Sequence, residues 1–137
     1  MRRLTCLSMI TILIVLFLAS HSGAEEKKVI ASMGADGIQR VEISGGSYFF
    51  DPNHIVVKVN VPVEIRIRKE GGLFPHNFVL KAPEAGMDME VDLSTDSKTV
   101  SFTPTKAGQY PFYCGKKLLF FKSHREKGMK GVIEVQE

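Results

Sequence analysis

Four side chains in this sequence could hold one metal ion. Cys114, His124 and Met129 follow one another closely near the C-terminus, ahead of Gly131 and a β-rich ending. The fourth, His76, lies far upstream in Pro75-His76-Asn77. Two imidazoles, one thiolate and one thioether are the donors of a blue-copper site. Soft sulfur holds Cu(I), imidazole suits Cu(II), and a compromise geometry serves both. A rigid cage that fits both states moves little when an electron passes. Taken singly, each residue has an ordinary explanation. A histidine at a strand end is usually a partly exposed side chain, His124 could be one more cation in a basic loop, and Met129 could fill the core. Their conjunction is what points to a metal.

The cysteine count supports this. The chain of 137 residues has two cysteines, Cys6 and Cys114. Met1-Arg2-Arg3, an apolar run from Leu4 to Ala19 and the small exit Ser22-Gly23-Ala24 read as a secretory signal, residues 1–24. The run is short for a membrane span, which needs about 20 residues. The alternative is an uncleaved N-terminal anchor, which the small-residue exit disfavours. Cys6 lacks the preceding small residues of a lipidation site. Cleavage after residue 24 of 137 leaves 113 residues, and losing Arg2 and Arg3 lowers the charge from +3 to +1. Cys114 is then alone. An unpaired thiol in an exported protein suggests an intermolecular bridge, a reactive group or a metal ligand. Composition, 44% apolar and 24% charged, fits one globular domain, and the mild charge gives no reason to expect nucleic acid.

The elements that must position these donors read as β-structure. Val63-Glu64-Ile65-Arg66-Ile67-Arg68 alternates strictly, with the period of a half-buried strand. Ile55-Val56-Val57-Lys58-Val59 is β-branched and nearly continuous, as in a central strand. Val41 with Ile43, Val100 with Phe102, Phe78 to Leu80 and Val132 to Val135 add further runs. Turn signals separate them: Gly45-Gly46, Asp51-Pro52-Asn53, Asn60-Val61-Pro62, Gly71-Gly72, Thr103-Pro104 and Ala107-Gly108. The pattern predicts an all-β, antiparallel sandwich or small barrel of about seven or eight strands. Residues 25–37 read as a frayed lead-in and then a first strand, and 38–137 as the domain. Residues 82–97, broken by Pro83 and Gly86, read as a long loop with a possible helical turn. Residues 115–128 read as a short helix or an ordered loop. Tyr110, Phe112 and Cys114 share one strand face, so the thiol points inward with the aromatics. Pro111 in that strand requires an edge or bulge.

Three motifs resemble those of the cupredoxins, the family that includes plastocyanin, azurin and pseudoazurin. Tyr48-Phe49-Phe50-Asp51-Pro52-Asn53-His54-Ile55-Val56-Val57 is similar to the family's F-x-P-x-x-I-x-V strand. Pro75-His76-Asn77 resembles its first-histidine segment. Gly108 to Cys114, with His124 and Gly128-Met129-Lys130-Gly131, resembles its G-x-Y-x-[FY]-x-C…H…G-M-x-G ending. The likeness covers roughly residues 38–137. It implies a Greek-key β-sandwich or barrel holding one copper ion that cycles between Cu(I) and Cu(II). His76, Cys114 and His124 would be its strong ligands, Met129 its long axial ligand, and Asn77 a tie between the two ligand loops. One feature departs from the family: nine residues, Gly115 to Ser123, separate Cys114 from His124. Plastocyanin-like proteins have fewer, and copper nitrite reductases come closer. Loop-closure entropy grows slowly with length, so the longer loop can still close a site.

These residues together predict an exported, periplasmic, monomeric copper protein. It would carry one electron between redox partners through His124, which in the family lies nearest the surface. A copper chaperone or resistance protein is the alternative, drawing also on Met87 and Met89; a shared buried face explains that Met-x-Met pair more simply. An enzyme would need further ligands, and His54 reads as a surface residue. Lys116, Lys117, Lys122, Arg125, Lys127 and Lys130 face only Glu126 in their loop. That patch is either a solvated loop or a docking site for an acidic redox partner. Leu118 to Phe121 lie beneath it or emerge as a contact surface. No nucleic-acid partner and no stable membrane span after cleavage are expected.

Overall fold

The computed structural model describes residues 25–137. The expected signal segment, with Cys6, lies outside the described residues. The described chain forms eleven strands: β1 (Lys28–Ile30), β2 (Ser32–Met33), β3 (Gln39–Gly46), β4 (Phe49–Asp51), β5 (His54–Lys58), β6 (Val63–Lys69), β7 (Asn77–Ala82), β8 (Met87–Asp92), β9 (Lys98–Phe102), β10 (Gly108–Tyr113) and β11 (Lys130–Gln136). A single 3-10 turn, Pro83–Ala85, precedes β8. Among the described residues no helix is long and apolar enough to cross a membrane.

The strands make two sheets packed as a sandwich, not a closed barrel. One runs β1-β5-β11-β10-β7-β8; the other runs β2-β3-β6-β9, with β4 paired to β3. Three pairs are parallel, β1 with β5, β5 with β11 and β3 with β6. The other six pairs are antiparallel as expected, so the sheets are mainly antiparallel with three parallel seams. Parallel neighbours cannot be joined by a hairpin, so the chain must cross over before pairing again, and local alternation does not reveal this.

The strand count also exceeds seven or eight. Residues 25–37 supply β1 to one sheet and β2 to the other, so the lead-in is paired rather than frayed. Such short pieces become strands through their partners and have no pattern of their own. β8 occupies part of the stretch read as a long loop. Met87, Met89 and Val91 alternate with Asp88, Glu90 and Asp92, and the six residues pair with β7 throughout. Met87 is fully buried, while Met89 and Val91 pack half-buried against the core. The acidic outer face and the nearby Pro83 and Gly86 masked this alternation.

Strict alternation elsewhere does what it predicts. Val63, Ile65 and Ile67 of β6 are buried, while Arg66 and Arg68 face out. Phe50, Phe78 and Phe112 meet between the sheets at centroid separations of 5.0 to 6.0 Å. Gly131 of β11 lies directly opposite Phe112. A Cβ there would be 2.3 Å from the Phe112 ring and 2.4 Å from the Asn53 carbonyl oxygen. Only glycine lets β11 pass at this point. Pro111 sits where the pairing of β10 to β7, which covers Phe112 and Tyr113, has ended. No partner there needs its missing N–H.

Gly45-Gly46 is not the turn its composition suggested. Both glycines belong to β3, and the reversal is Ser47-Tyr48, at φ 44° and 66°. Two positive φ values match the twist of a tight hairpin. The glycines are needed for space: a Cβ on Gly45 would come 2.8 Å from Leu93, and one on Gly46 3.0 Å from the Glu70 carbonyl oxygen.

His54, expected at the surface, is buried at the start of β5. Its Nδ1 meets Glu26, and its Nε2 lies 2.7 Å from Glu134. The partners are remote in sequence, which hid this role. Hydrogen bonds from Lys28, then Gln136 and His54, hold the Glu134 carboxyl down to about 2. Arg40 does the same for Asp36, with help from the Ile38 N–H. Depressed carboxylates stabilise the fold above their unfolded pKa, and that contribution is lost as pH falls through the folded value. Thermal melts should therefore show a falling Tm between about pH 4.5 and 2, and Glu134→Gln should flatten part of that slope. Parallel slopes for the two proteins would remove Glu134 from the account.

Candidate metal centre

Three donors converge at one end of the sandwich. His76 immediately precedes β7, and its carbonyl accepts the Leu93 N–H at 2.9 Å. Cys114 immediately follows β10, and its N–H donates to the Met129 carbonyl at 3.0 Å. His124 is held from both sides: its N–H donates to the Lys116 carbonyl at 2.9 Å, and its own carbonyl accepts the Met129 N–H at 3.0 Å. Cys114, His124 and Met129 thus occupy one loop between paired strands β10 and β11.

Ser123 and Glu126 lock that loop. The Ser123 N–H and hydroxyl both donate to the Glu126 carboxylate at 2.7 Å, and the Glu126 N–H donates back to the Ser123 hydroxyl at 3.3 Å. This is the reciprocal bonding of an S-x-x-E capping box, closing a turn rather than starting a helix. Of the two readings of 115–128, the ordered loop is the one observed. The Ser123-His124-Arg125-Glu126 pattern was a signal for it that the sequence reading passed over.

The donor atoms form a small triangle. His76 Nδ1 and His124 Nδ1 are 3.1 Å apart, and Cys114 Sγ lies 3.9 Å from the first and 3.5 Å from the second. A point equidistant from all three corners is about 2 Å from each, the length of an imidazole–metal bond and slightly under a thiolate–metal bond. All three residues are buried. One ion fits the donors present.

The electrostatics agree with that use. Burial, then the neighbouring His124 and Lys69, lowers the His76 pKa to about 4. Burial, then Lys127, lowers that of His124. Both rings are therefore neutral near pH 7, with lone pairs free. The Asn77 N–H points at Cys114 Sγ from 3.4 Å, so the sulfur accepts a backbone hydrogen bond. The Asn77 side chain accepts the Gly115 N–H at 2.7 Å and donates to Glu90 at 2.8 Å, so it bridges the His76 and Cys114 loops. Met129 is fully buried in the core cluster that includes Cys114. Its backbone is tied to both neighbouring donors, accepting the Cys114 N–H and donating to the His124 carbonyl.

Two features were not anticipated. Tyr48 sets its ring edgewise against both imidazoles, 4.9 Å from His124 and 6.2 Å from His76. Nothing in Ser47-Tyr48 announces this, because it depends on the positive-φ turn. Lys127 then lies over Tyr48, 4.3 Å from the ring centre, and donates to its hydroxyl at 3.2 Å. Consequently His124 is only 3% exposed, against 4% for His76. The Tyr48 turn lies over the imidazole that the family resemblance places nearest the surface.

The comparisons agree with this architecture. No curated protein matches the chain. Among solved structures, it is similar to the metal-binding domain of the Cu(I)-exporting P-type ATPase CopA of Streptococcus pneumoniae D39, solved with Cu(I). There the TM-score is 0.64 at 23% identity, over 82% of this chain and 99% of that one. A copper-binding protein solved in its apo form gives a TM-score of 0.59 at 25% identity, over 83% of this chain and all of that one. Auracyanin A, a blue copper protein of Chloroflexus aurantiacus, gives 0.55 at 21% identity, over 73% of this chain and all of that one. The family model of the cupredoxin-like domain matches residues 8–133. With that match spanning both sheets and the His–Cys–His cluster, the chain belongs to the cupredoxin-like domain family.

Proposed function

We propose that this is an exported, periplasmic copper protein with a single type 1 site, carrying one electron at a time between redox proteins. The observation that carries the reading is the buried triangle of His76, Cys114 and His124, with separations that one ion satisfies. His76, Cys114 and His124 would hold the metal, with Met129 as a weaker fourth donor. Bound copper would supply a one-electron couple. The chain's own part is to keep the imidazoles neutral, hold the thiolate with the Asn77 N–H, and fix both ligand loops through the Asn77 side chain. His124, under the Tyr48 edge, is the path by which an electron enters or leaves.

A carrier is favoured over an enzyme because one site uses up the donors. The remaining histidine among the described residues, His54, is engaged by Glu26 and Glu134. The rival reading is a copper chaperone, favoured by the likeness to the Cu(I)-bound CopA domain. Burial of Met87 in the core speaks against a Met-x-Met handover site. Cu(II) titration with visible absorption and EPR, followed by electrode voltammetry, tests the assignment. Strong thiolate-to-copper absorption with fast reversible cycling is expected. A colourless adduct, or metal transfer without cycling, would overturn it.

Docking of an acidic redox partner would use cations beside His124. Arg125 lies over Tyr113 at 4.2 Å, and Lys130 is exposed at the start of β11. Replacing both with glutamine should slow electron transfer to such a partner about tenfold at low salt and little at high salt. Stopped-flow rates that are equal for both proteins at every ionic strength would exclude the patch.

A further inference from the structure

Two loops leave the sandwich at the metal end, since the histidines they carry almost touch. Each presents bare apolar side chains. The loop before His76 exposes Leu73 (98%) and Phe74. The loop before His124 exposes the run Leu118 to Phe121, with Leu119 at 71% and Phe120 at 94%. Apolar surface concentrated in this way on a soluble chain marks an interaction site.

The longer loop is a shaped projection. Its base is closed by the His124 N–H to the Lys116 carbonyl, and its tip by the Phe121 N–H to the Leu118 carbonyl at 3.0 Å. Leu119 sits in left-handed backbone, at φ 46°, with its side chain still in solvent.

The surrounding charge identifies what would cover this tip. Lys117 precedes the apolar run and Lys122 follows it. The one carboxylate of the loop, Glu126, is occupied by Ser123. A purely acidic protein surface would pair with Lys117 and Lys122 but leave the four apolar side chains between them unmatched. An anionic lipid surface satisfies both. Leucine and phenylalanine enter the acyl boundary, while lysine stems reach back to the phosphates.

We propose that the tip formed by Leu118 to Phe121, flanked by Lys117 and Lys122 and aided by Leu73 and Phe74, binds the surface of an anionic phospholipid bilayer. Leu119 and Phe120 insert, and the metal end of the sandwich faces the membrane. This surface does not depend on which metal the site holds.

The test uses residues 25–137, which contain both sheets and the core and exclude the apolar N-terminal run. Cosedimentation with phosphatidylcholine vesicles is measured with and without phosphatidylglycerol. Binding is expected only with the anionic lipid, weakening as salt rises. Leu119→Asn with Phe120→Ser should lower partitioning about tenfold or more. Lys117→Gln with Lys122→Gln should remove the preference for the anionic lipid. All four positions are exposed, so circular dichroism and Tm should stay unchanged. Absence of binding to anionic vesicles, or equal partitioning of the Leu119/Phe120 variant, would overturn the proposal. Dimerisation without vesicle binding, abolished by the same variant, would assign the surface to a second copy instead.

Discussion

Cys114→Ser should lose the strong visible absorption of the copper-loaded protein and bind copper at least about 100-fold more weakly. Replacing even the outer partners of a metal ligand costs about 10–100-fold, and here the one soft anionic donor is removed. The hydroxyl of serine is far harder to ionise than a thiol, so the site would keep two neutral imidazoles and no thiolate. The fold itself should survive. Serine is close in size, and its oxygen can still accept the Asn77 N–H that points at Sγ. The comparison therefore separates metal chemistry from structure. Chelator competition and absorption, with circular dichroism as the control, make the measurement. Wild-type colour in the serine variant would contradict the assignment.

The second large effect needs no metal. Gly131→Ala should destabilise the protein by about 3 kcal/mol, near the upper end for overpacking a core. The new methyl would collide with the Phe112 ring and with the Asn53 carbonyl, which accepts the Val132 N–H at 2.9 Å. Neither neighbour can yield cheaply. Phe112 is fully buried against Phe50 and Phe78, and the carbonyl belongs to the chain leading into β5. For a domain of this size the loss corresponds to a Tm lower by about 10 °C. Urea or thermal unfolding of the metal-free protein checks it. A loss below about 1 kcal/mol would show that β11 can shift at this point.

Much of this was readable in the chain. β6 announces itself because one face meets the core and the other meets water, leaving a period of two. The donors could be listed because copper selects rare residue types, and a lone thiol left after an expected signal cleavage is conspicuous. What stayed hidden depends on partners distant in sequence. β1 and β2 are strands only because β5 and β3 lie beside them. His54 looks like a turn residue until Glu26 arrives from the segment before β1 and Glu134 from β11. Tyr48 reaches the imidazoles through two unusual backbone angles that its neighbours in sequence do not advertise. Leu118 to Phe121 could be weighed as buried or exposed, and only the folded loop decides for exposure.

Because Cys114, His124 and Met129 all fall between the paired residues Tyr113 and Lys130, most of the candidate centre is one transplantable cassette. Another sandwich with a suitably placed histidine before the strand neighbouring its cysteine hairpin could receive it whole. Residues 117–122, which lie between the anchoring Lys116 carbonyl and Ser123, can meanwhile lengthen, shorten or change character without touching the bonds that hold His124. Evolution and protein engineering can therefore alter what this end of the molecule touches separately from what it binds.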